Sequence, residues 1–426
     1  MLLENRIQGL LDEMGRSCNL PLRVRLWNGR SIELSPHPTV TLTIPNVSAA
    51  RYFLKPSFDT LGEAVVEGHL QVEGPTREII QVGESLARNV AKTPVPRFWR
   101  PRRRHSRGLD ADAISYHYDV SNDFYRLWLD RRMVYSCAYF RTGDEDLHTA
   151  QEQKLDHICR KLMLRPGERF LDIGCGWGGL VRWAARHYGV DATGITLSRN
   201  QYDLATERIR AEGLEGRCRV LLQDYRDHPC QGGYDKIASV GMFEHVGLRH
   251  LPEYFATIHG LLKEGGLALN HGITAVDVNN SWVGLGAGEF IERYVFPHGE
   301  LPHLSLVARE ISAQGLEVGD VECLRQHYAR TCRLWSERLE GNHANAKALA
   351  GERRYRIWAL YLAGCAHAFE RNWVTIYQIL AARPLATGRS ALPWTREYMY
   401  PATAKVFRET PAPAATAQAY TSSDAG

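Results

Sequence analysis

No two of the nine cysteines in this 426-residue chain form a CxxC pair. They are scattered as Cys18, Cys137, Cys159, Cys175, Cys218, Cys230, Cys323, Cys332 and Cys365. That pattern offers neither a zinc site nor a disulfide framework, so no metal and the reduced thiols of a cytoplasmic protein are expected. Long apolar runs are missing too. The longest, Ile357 to Phe369, is 13 residues with His367 inside it, short of the roughly 20 that a membrane span needs. The opening MLLENRIQGLLDEMG carries Glu4, Asp12 and Glu13 and no continuous apolar stretch before a small-residue cleavage site, so no signal peptide is expected. A net charge of only +4 speaks against a nucleic-acid partner. What is present is ordinary for a globular protein, 44% hydrophobic and 23% charged residues, and the length predicts one large and one smaller domain.

The positive charge is concentrated. KTPVPRFWRPRRRHSR, Lys92 to Arg107, holds seven Lys or Arg, three Pro and no acid. Residues 91–109 therefore read as a Pro-rich basic linker: either a solvated connector or a contact for an anionic membrane surface, where each basic side chain contributes about 1 kcal/mol. Before it, residues 1–90 read as a small α+β domain for lipid binding or assembly. A first helix, strands at LRVRLW, SIELS and TVTLTIP, a strand pair in GEAVVEGHLQVEG and a closing helix from Thr76 to Asn89 are expected. After it, residues 110–386 alternate strand and helix: RFLDI, a helix after Gly178, DATGIT, a helix from Ser198, CRVLLQ, DKIASV, a helix over Leu251 to Leu262, and GLALNHGI. That order predicts an open parallel α/β sheet, followed by a largely helical insertion and two last strands, LEVGDVECL and WVTIYQILAA. Residues 387–426 form an extension whose low-complexity end, from Thr410, is expected to be disordered.

FLDIGCGWGG is an apolar strand entering a turn with Gly174, Gly176, Gly178 and Gly179, where the backbone approaches a ligand closely. The glycines alone fit a dinucleotide fold or a methyltransferase. Asp172, at the strand end, suits a cationic ammonium and not a pyrophosphate. The next strand ends GITLSRNQ without the acid that a nicotinamide site places on the ribose, offering Thr196, Ser198 and Gln201 instead. The third strand ends in Gln223, Asp224 and Tyr225, suited to bonding and covering an adenine. These features favour S-adenosylmethionine over a nicotinamide cofactor.

Taken in order, YHYDVSNDFY, MVYSCAYF, LDIGCGWGG, GITLSRNQ, VLLQDYRD, SVGMFEHVG, YVFPHGELP, HYARTC and YLAGCAHAFE resemble the cyclopropane fatty acid synthase family over about residues 112–382. The resemblance implies a class I methyltransferase, Rossmann-like sheet. It implies a cytoplasmic enzyme, peripheral at the inner face of the membrane and expected as a homodimer, that methylenates cis double bonds in the acyl chains of membrane phospholipids. Tyr116, Tyr135, Ser136, Trp177 and Leu197 join the cofactor-binding residues on the same ground. Rival readings are methyl-branched products, a methyltransferase of a small soluble substrate, and a lipid-binding protein without activity.

An alkene needs no base for attack, but the cation that follows must lose a proton, and aromatic faces steady its charge. The resemblance implies that the base is bound bicarbonate, ringed by Cys137, Glu244, His271, Ile273, Tyr328 and Cys365. Glu244 and His271 are read at strand carboxyl ends, where such a sheet places its site. Of Tyr116, Tyr135, Tyr139, Phe243, Tyr294 and Phe296, most are expected in the core, with two or three facing acyl chain or cofactor. Cys137 has no Lys or Arg beside it within VYSCAYF and is read as apolar filling at the edge of the anion site, not as a nucleophile.

Overall fold

The computed structural model describes Gly9 and residues 20–53, 56–90, 120–229, 233–278, 284–296 and 299–400. The first helix, the whole of the basic linker, Tyr116 and the tail from Thr410 lie outside the described residues.

The amino-terminal unit is a four-stranded sheet carrying two helices. Strands β1 (Leu22–Arg25), β2 (Ser31–Glu33) and β3 (Val40–Thr43) are followed by α1 (Phe58–Val66), β4 (Gln71–Glu73) and α2 (Thr76–Val90), in the sheet order β2-β1-β3-β4. Alternation in β1 and β3 buries Leu22, Val24, Val40 and Leu42 on one face. The strand pair expected in GEAVVEGHLQVEG is corrected: its first half belongs to helix α1. The cause lies just upstream, where Ser57 Oγ accepts from the Thr60 N–H at 3.1 Å and Thr60 Oγ1 accepts from the Ser57 N–H at 2.9 Å. This reciprocal cap starts a helix before the strand-like residues begin.

A short helix, α3 (Asn122–Arg126), and α4 (Leu147–Lys161) lead into the large sheet. There β5 (Arg169–Ile173), α5 (Gly179–Tyr188), β6 (Asp191–Thr196), α6 (Arg199–Ala211) and β7 (Cys218–Leu222) run to one side. Then β8 (Tyr234–Val240), α7 (Leu251–Leu261) and β9 (Leu262–Ala275) return to the other side of β5. Helices α8 (Ala287–Tyr294) and α9 (Leu304–Ala313) precede β10 (Glu317–Cys323). The helical insertion is α10 (Arg325–Gly341), α11 (His343–Ala350) and α12 (Glu352–Glu370), and β11 (Val374–Ala382) closes the sheet.

The sheet order is β10-β11-β9-β8-β5-β6-β7, with β7, β6, β5, β8 and β9 parallel and β11 antiparallel to both neighbours. Strand order therefore reverses between β5 and β8, and a crevice opens at the carboxyl edge there. His271 stands within β9, which runs on to Ala275, so the expectation of a strand end is corrected; it pairs with Val240, the last residue of β8. The insertion packs its buried Trp335, Trp358 and Leu362 over that same edge with Trp128 and Phe124.

Candidate active site

Two cavities meet at the switch point. The first, about 150 Å³, lies over the β5 turn and is lined by Asp172, Gly174, Gly176, Trp177, Thr196, Leu197, Gln201, Gln223, Asp224 and Tyr225, with Tyr135 and Ser136 at its inner end. Gly174 holds φ +79, and a Cβ there would press within 3.1 Å of Met242. Asp172 is buried and its Oδ1 has no protein partner. Burial raises its pKa to about 7, with buried Lys154 pulling the other way. Asp172 lines the cavity, and a carboxyl with an unpartnered oxygen there fits an incoming ammonium.

Thr196 Oγ1 donates to Gln201 Oε1 at 2.7 Å, and the Gln201 N–H donates to Ser198 Oγ, the cap of α6. Both Asp224 oxygens are taken by Arg226, at 2.9 and 2.6 Å. Gln223 Nε2 donates to the Asp227 carbonyl at 2.9 Å. These side chains shape the wall through bonds to one another. Gly178 and Ser198 are not among the residues that line the cavity and stand at the starts of the helices beside it. Gly178 caps α5 at φ +74, where a Cβ would come within 3.1 Å of Ala205.

The second cavity, about 240 Å³, is apolar and lies under α12. It joins the first at Tyr135, Ser136, Gly241 and His245, which line both. Its outer wall comes from the amino-terminal unit, Phe58, Leu61 and Val65 of α1 with Ile79 and Ile80 of α2. Polar ties hold that wall in place: the Thr76 N–H donates to Glu340 Oε1 at 3.1 Å, Arg353 pairs with Glu67 at 2.8 Å, and His367 Nε2 meets Glu84 Oε2 at 2.7 Å. Tyr135, Phe296, Tyr328, Tyr361, Phe369 and Trp373 supply aromatic faces, and among the described residues no Lys or Arg lines this cavity.

All six residues of the expected anion ring line the second cavity. Glu244 follows β8 in a single 3-10 turn, and its Oε1 accepts from the Ile273 N–H at 2.6 Å. Gly272 makes this approach possible, because a Cβ there would lie 1.7 Å from the Phe243 ring. Glu244 as a residue is half-buried, yet its Oε2 is shut off from solvent and has no partner, and burial raises the carboxyl's pKa to about 7. His271 is fully buried with Nε2 unpartnered. Burial, reinforced by Lys154 and Lys161, holds its pKa well below the usual histidine value. Tyr328 is pushed up by burial and stays a phenol. The wall thus presents neutral groups with unmet hydrogen-bonding capacity, a fit for a small anion.

Cys137 is fully buried, its thiol donating to the Ala138 carbonyl at 3.2 Å. Burial raises its pKa far above the ordinary thiol value, and Cys365 is pushed up to about 12 for the same reason. Both are thiols, not thiolates. Of the named aromatics among the described residues, Tyr135 and Phe296 line the cavity. Phe243 is core, Tyr294 bonds Glu67 at 3.2 Å, and Tyr139 stacks on His157 and His327 at 4.2 and 4.8 Å.

Among the residues at the site that escaped sequence reasoning are Lys154 and Gln378, beside Gly241 and His245, which line both cavities. Lys154, buried in α4, donates to Ser136 Oγ at 2.8 Å, and burial lowers its pKa to about 8. Its position with Gln151, Leu155 and Ile158 on one helical face was the available signal. Gln378, a polar residue inside the apolar run of β11, is fully buried against His271.

Comparison with known proteins places this arrangement. The family profile described as mycolic acid cyclopropane synthetase matches residues 105–379, and a domain of unknown function matches residues 11–93. A probable fatty acid methyltransferase of Pseudomonas putida is 52% identical over 385 residues, covering 90% of this chain and 98% of the relative. The cyclopropane-fatty-acyl-phospholipid synthase of Escherichia coli K12 is 39% identical over 272 residues, 64% of this chain and 68% of its own. The solved mycolic acid cyclopropane synthase CmaA1, complexed with SAH and CTAB, superposes with a TM-score of 0.60 at 36% identity, covering 64% of this chain and 98% of that one. The seven-stranded sheet is the class I methyltransferase fold, and the chain belongs to the cyclopropane synthase family of S-adenosylmethionine-dependent methyltransferases.

Proposed function

We propose that this enzyme acts on unsaturated acyl chains of membrane phospholipids, adding carbon from S-adenosylmethionine across a cis double bond to form a cyclopropane ring. The observation that carries this is the meeting of a polar cavity bearing an orphaned carboxylate with an apolar, aromatic-lined cavity at Tyr135, Ser136, Gly241 and His245. S-adenosylmethionine, when bound, supplies an electrophilic methyl; Asp172 is suited to its ammonium and the β5 turn to its nucleoside. The apolar walls hold the acyl chain and exclude water, which would otherwise trap a cation as an alcohol. Aromatic faces steady positive charge without adding to it.

The proton lost on ring closure goes to bicarbonate in this reading. Glu244, fixed by the Ile273 N–H on its Oε1, holds that anion together with His271 and Tyr328, with Cys137 and Cys365 as neutral walls. The amino-terminal domain, residues 1–90, handles lipid by closing the acyl cavity, and the basic linker, 91–109, meets the anionic membrane surface from the cytoplasmic side. The catalytic domain spans 110–386 and the extension 387–426; a homodimer is the proposed assembly. Among the described residues no helix is long and apolar enough to cross a membrane.

A second reading is a methyl-branched product, which a name such as that of the Pseudomonas relative, a probable fatty acid methyltransferase, accommodates equally. Lipids from a host expressing the chain decide between them by mass spectrometry with double-bond analysis. Gain of one CH2 with the double bond gone supports the cyclopropane. Gain of CH2 with a double bond retained supports the branched product, and no gain overturns both. Bicarbonate-depleted buffer should slow the enzyme; full activity there would overturn the assignment of the base.

A further inference from the structure

We propose that Gln378 is a positioning residue that holds His271 in the tautomer with its proton on Nε2, so that the ring offers the acyl cavity a hydrogen-bond donor and not a base. The two residues are direct partners across the antiparallel pair β9–β11, which puts their side chains side by side on one face. Both are fully buried, and Gln378 Nε2 lies 3.1 Å from His271 Nδ1.

A neutral imidazole has one N–H and one bare nitrogen, and its surroundings select which is which. Burial keeps this ring neutral. An amide N–H directed at Nδ1 needs a lone pair there, which leaves the proton to Nε2. The reversed amide would turn Oε1 to Nδ1 and strand both amide N–H donors in the sheet interior. The observed orientation strands one N–H and the Oε1, which has no protein partner. Counting the ring's own proton, each orientation leaves two N–H donors without a protein partner, so the assignment rests on the geometry, which sets Gln378 Nε2 against Nδ1.

His271 and Glu244 both line the cavity, and His271 Nε2 and Glu244 Oε2 are both buried without a protein partner. A donor in that place binds an anion; a bare nitrogen would repel one and compete for the substrate's proton. The catalytic consequence rests on the anion reading above, whereas the tautomer itself does not.

The test uses the full-length enzyme with 15N-labelled histidine, His271 being assigned by comparison with His271→Ala. Long-range nitrogen-proton NMR of the wild type, without lipid or added bicarbonate, should show Nδ1 unprotonated and Nε2 protonated. In Gln378→Glu, measured at alkaline pH where the new carboxyl is ionised, the carboxylate accepts from Nδ1, so the proton should be found there. Turnover of that variant should fall about tenfold or more, while S-adenosylmethionine affinity by calorimetry stays unchanged, which a merely misfolded protein would not allow. A wild-type ring carrying its proton on Nδ1 would overturn the proposal even if the variant fails to fold, as would an unmoved proton in Gln378→Glu. An Nε2–H ring in an enzyme indifferent to bicarbonate would leave this assignment standing and remove only the anion reading.

Discussion

Replacing Glu244 by Gln separates the cost of the site from its use. In the unfolded chain this carboxyl ionises near its ordinary 4.5, whereas in the folded protein burial holds it protonated to about 7. Between those values the unfolded state releases a proton that the folded state keeps. Folding therefore loses ground as pH rises through the window, and the loss levels off above it. At about 1.36 kcal/mol per unit of pKa, the loss from about pH 5 to about pH 8 comes to about 2.5 kcal/mol. Gln is nearly isosteric and cannot ionise. Any cost of its unmet amide N–H, about 1–3 kcal/mol, applies at both ends of the range and cancels in the difference. Denaturant titrations of the two proteins at the two pH values should thus show the stability gap moving about 2.5 kcal/mol in favour of Glu244→Gln on going from acid to alkali. The variant should also lose most of its turnover, because the proposed anion site loses an acid. Stability curves that stay parallel across the range would refute the burial argument, and a fully active variant would refute the role.

Asp172→Asn should weaken S-adenosylmethionine binding roughly ten- to a hundredfold by calorimetry, the worth of a charge-assisted hydrogen bond of about 1.5–3 kcal/mol; unchanged affinity would show that the ammonium lies elsewhere. Cys137→Ser should retain a measurable rate, with no adduct on Cys137 in intact-protein mass spectra of the wild type; a methylated or acylated thiol formed at the turnover rate would restore the nucleophile. Gly364 lines the acyl cavity and a Cβ built there meets nothing within 4 Å, so Gly364→Leu should fill the space and suppress turnover of long-chain lipid while leaving S-adenosylmethionine affinity intact. Arg102, Arg103 and Arg104 changed together to Ala should lower binding to anionic vesicles most at low salt, since exposed charges are screened over about 10 Å at 0.1 M; binding equal to wild type at every salt would make the segment a plain linker.

The sheet was legible because each strand announces itself locally, by an apolar run such as RFLDI or DATGIT ending in a glycine turn or a capping residue like Ser198. The same local reading failed at α1, where the strand-like GEAVV hides a helix fixed by Ser57 and Thr60 upstream of it. The part of the first cavity's wall made by the turns that follow β5, β6 and β7 was legible, whereas its inner wall, with Lys154, Gly241, Met242 and His245, was not. Nor was the acyl cavity. Its outer wall joins residues near position 60 to residues near position 365, and a tie such as Glu84 to His367 spans 283 positions. Periodicity within a segment carries no information about which distant face will cover it.

At Cys137 local sequence reasoning and the fold argue for a neutral thiol by different routes. The nearest cations in sequence are Arg132 and Arg141, and their distance along the chain was taken against a thiolate. The fold supplies a nearer cation: Lys154 bonds the adjacent Ser136 from another element and does act to lower the thiol's pKa. A buried cation beside a thiol is the setting of a reactive cysteine. What decides the matter is magnitude. Desolvation is the larger effect on this sulfur, and it depresses Lys154 as well, to about 8, so the cation that would stabilise a thiolate is itself close to losing its charge. Two ionisable groups sharing one dry site each favour neutrality unless they pair directly. Here Lys154 gives its hydrogen bond to Ser136 and Cys137 gives its own to a backbone carbonyl, so the sulfur stays a neutral part of the wall.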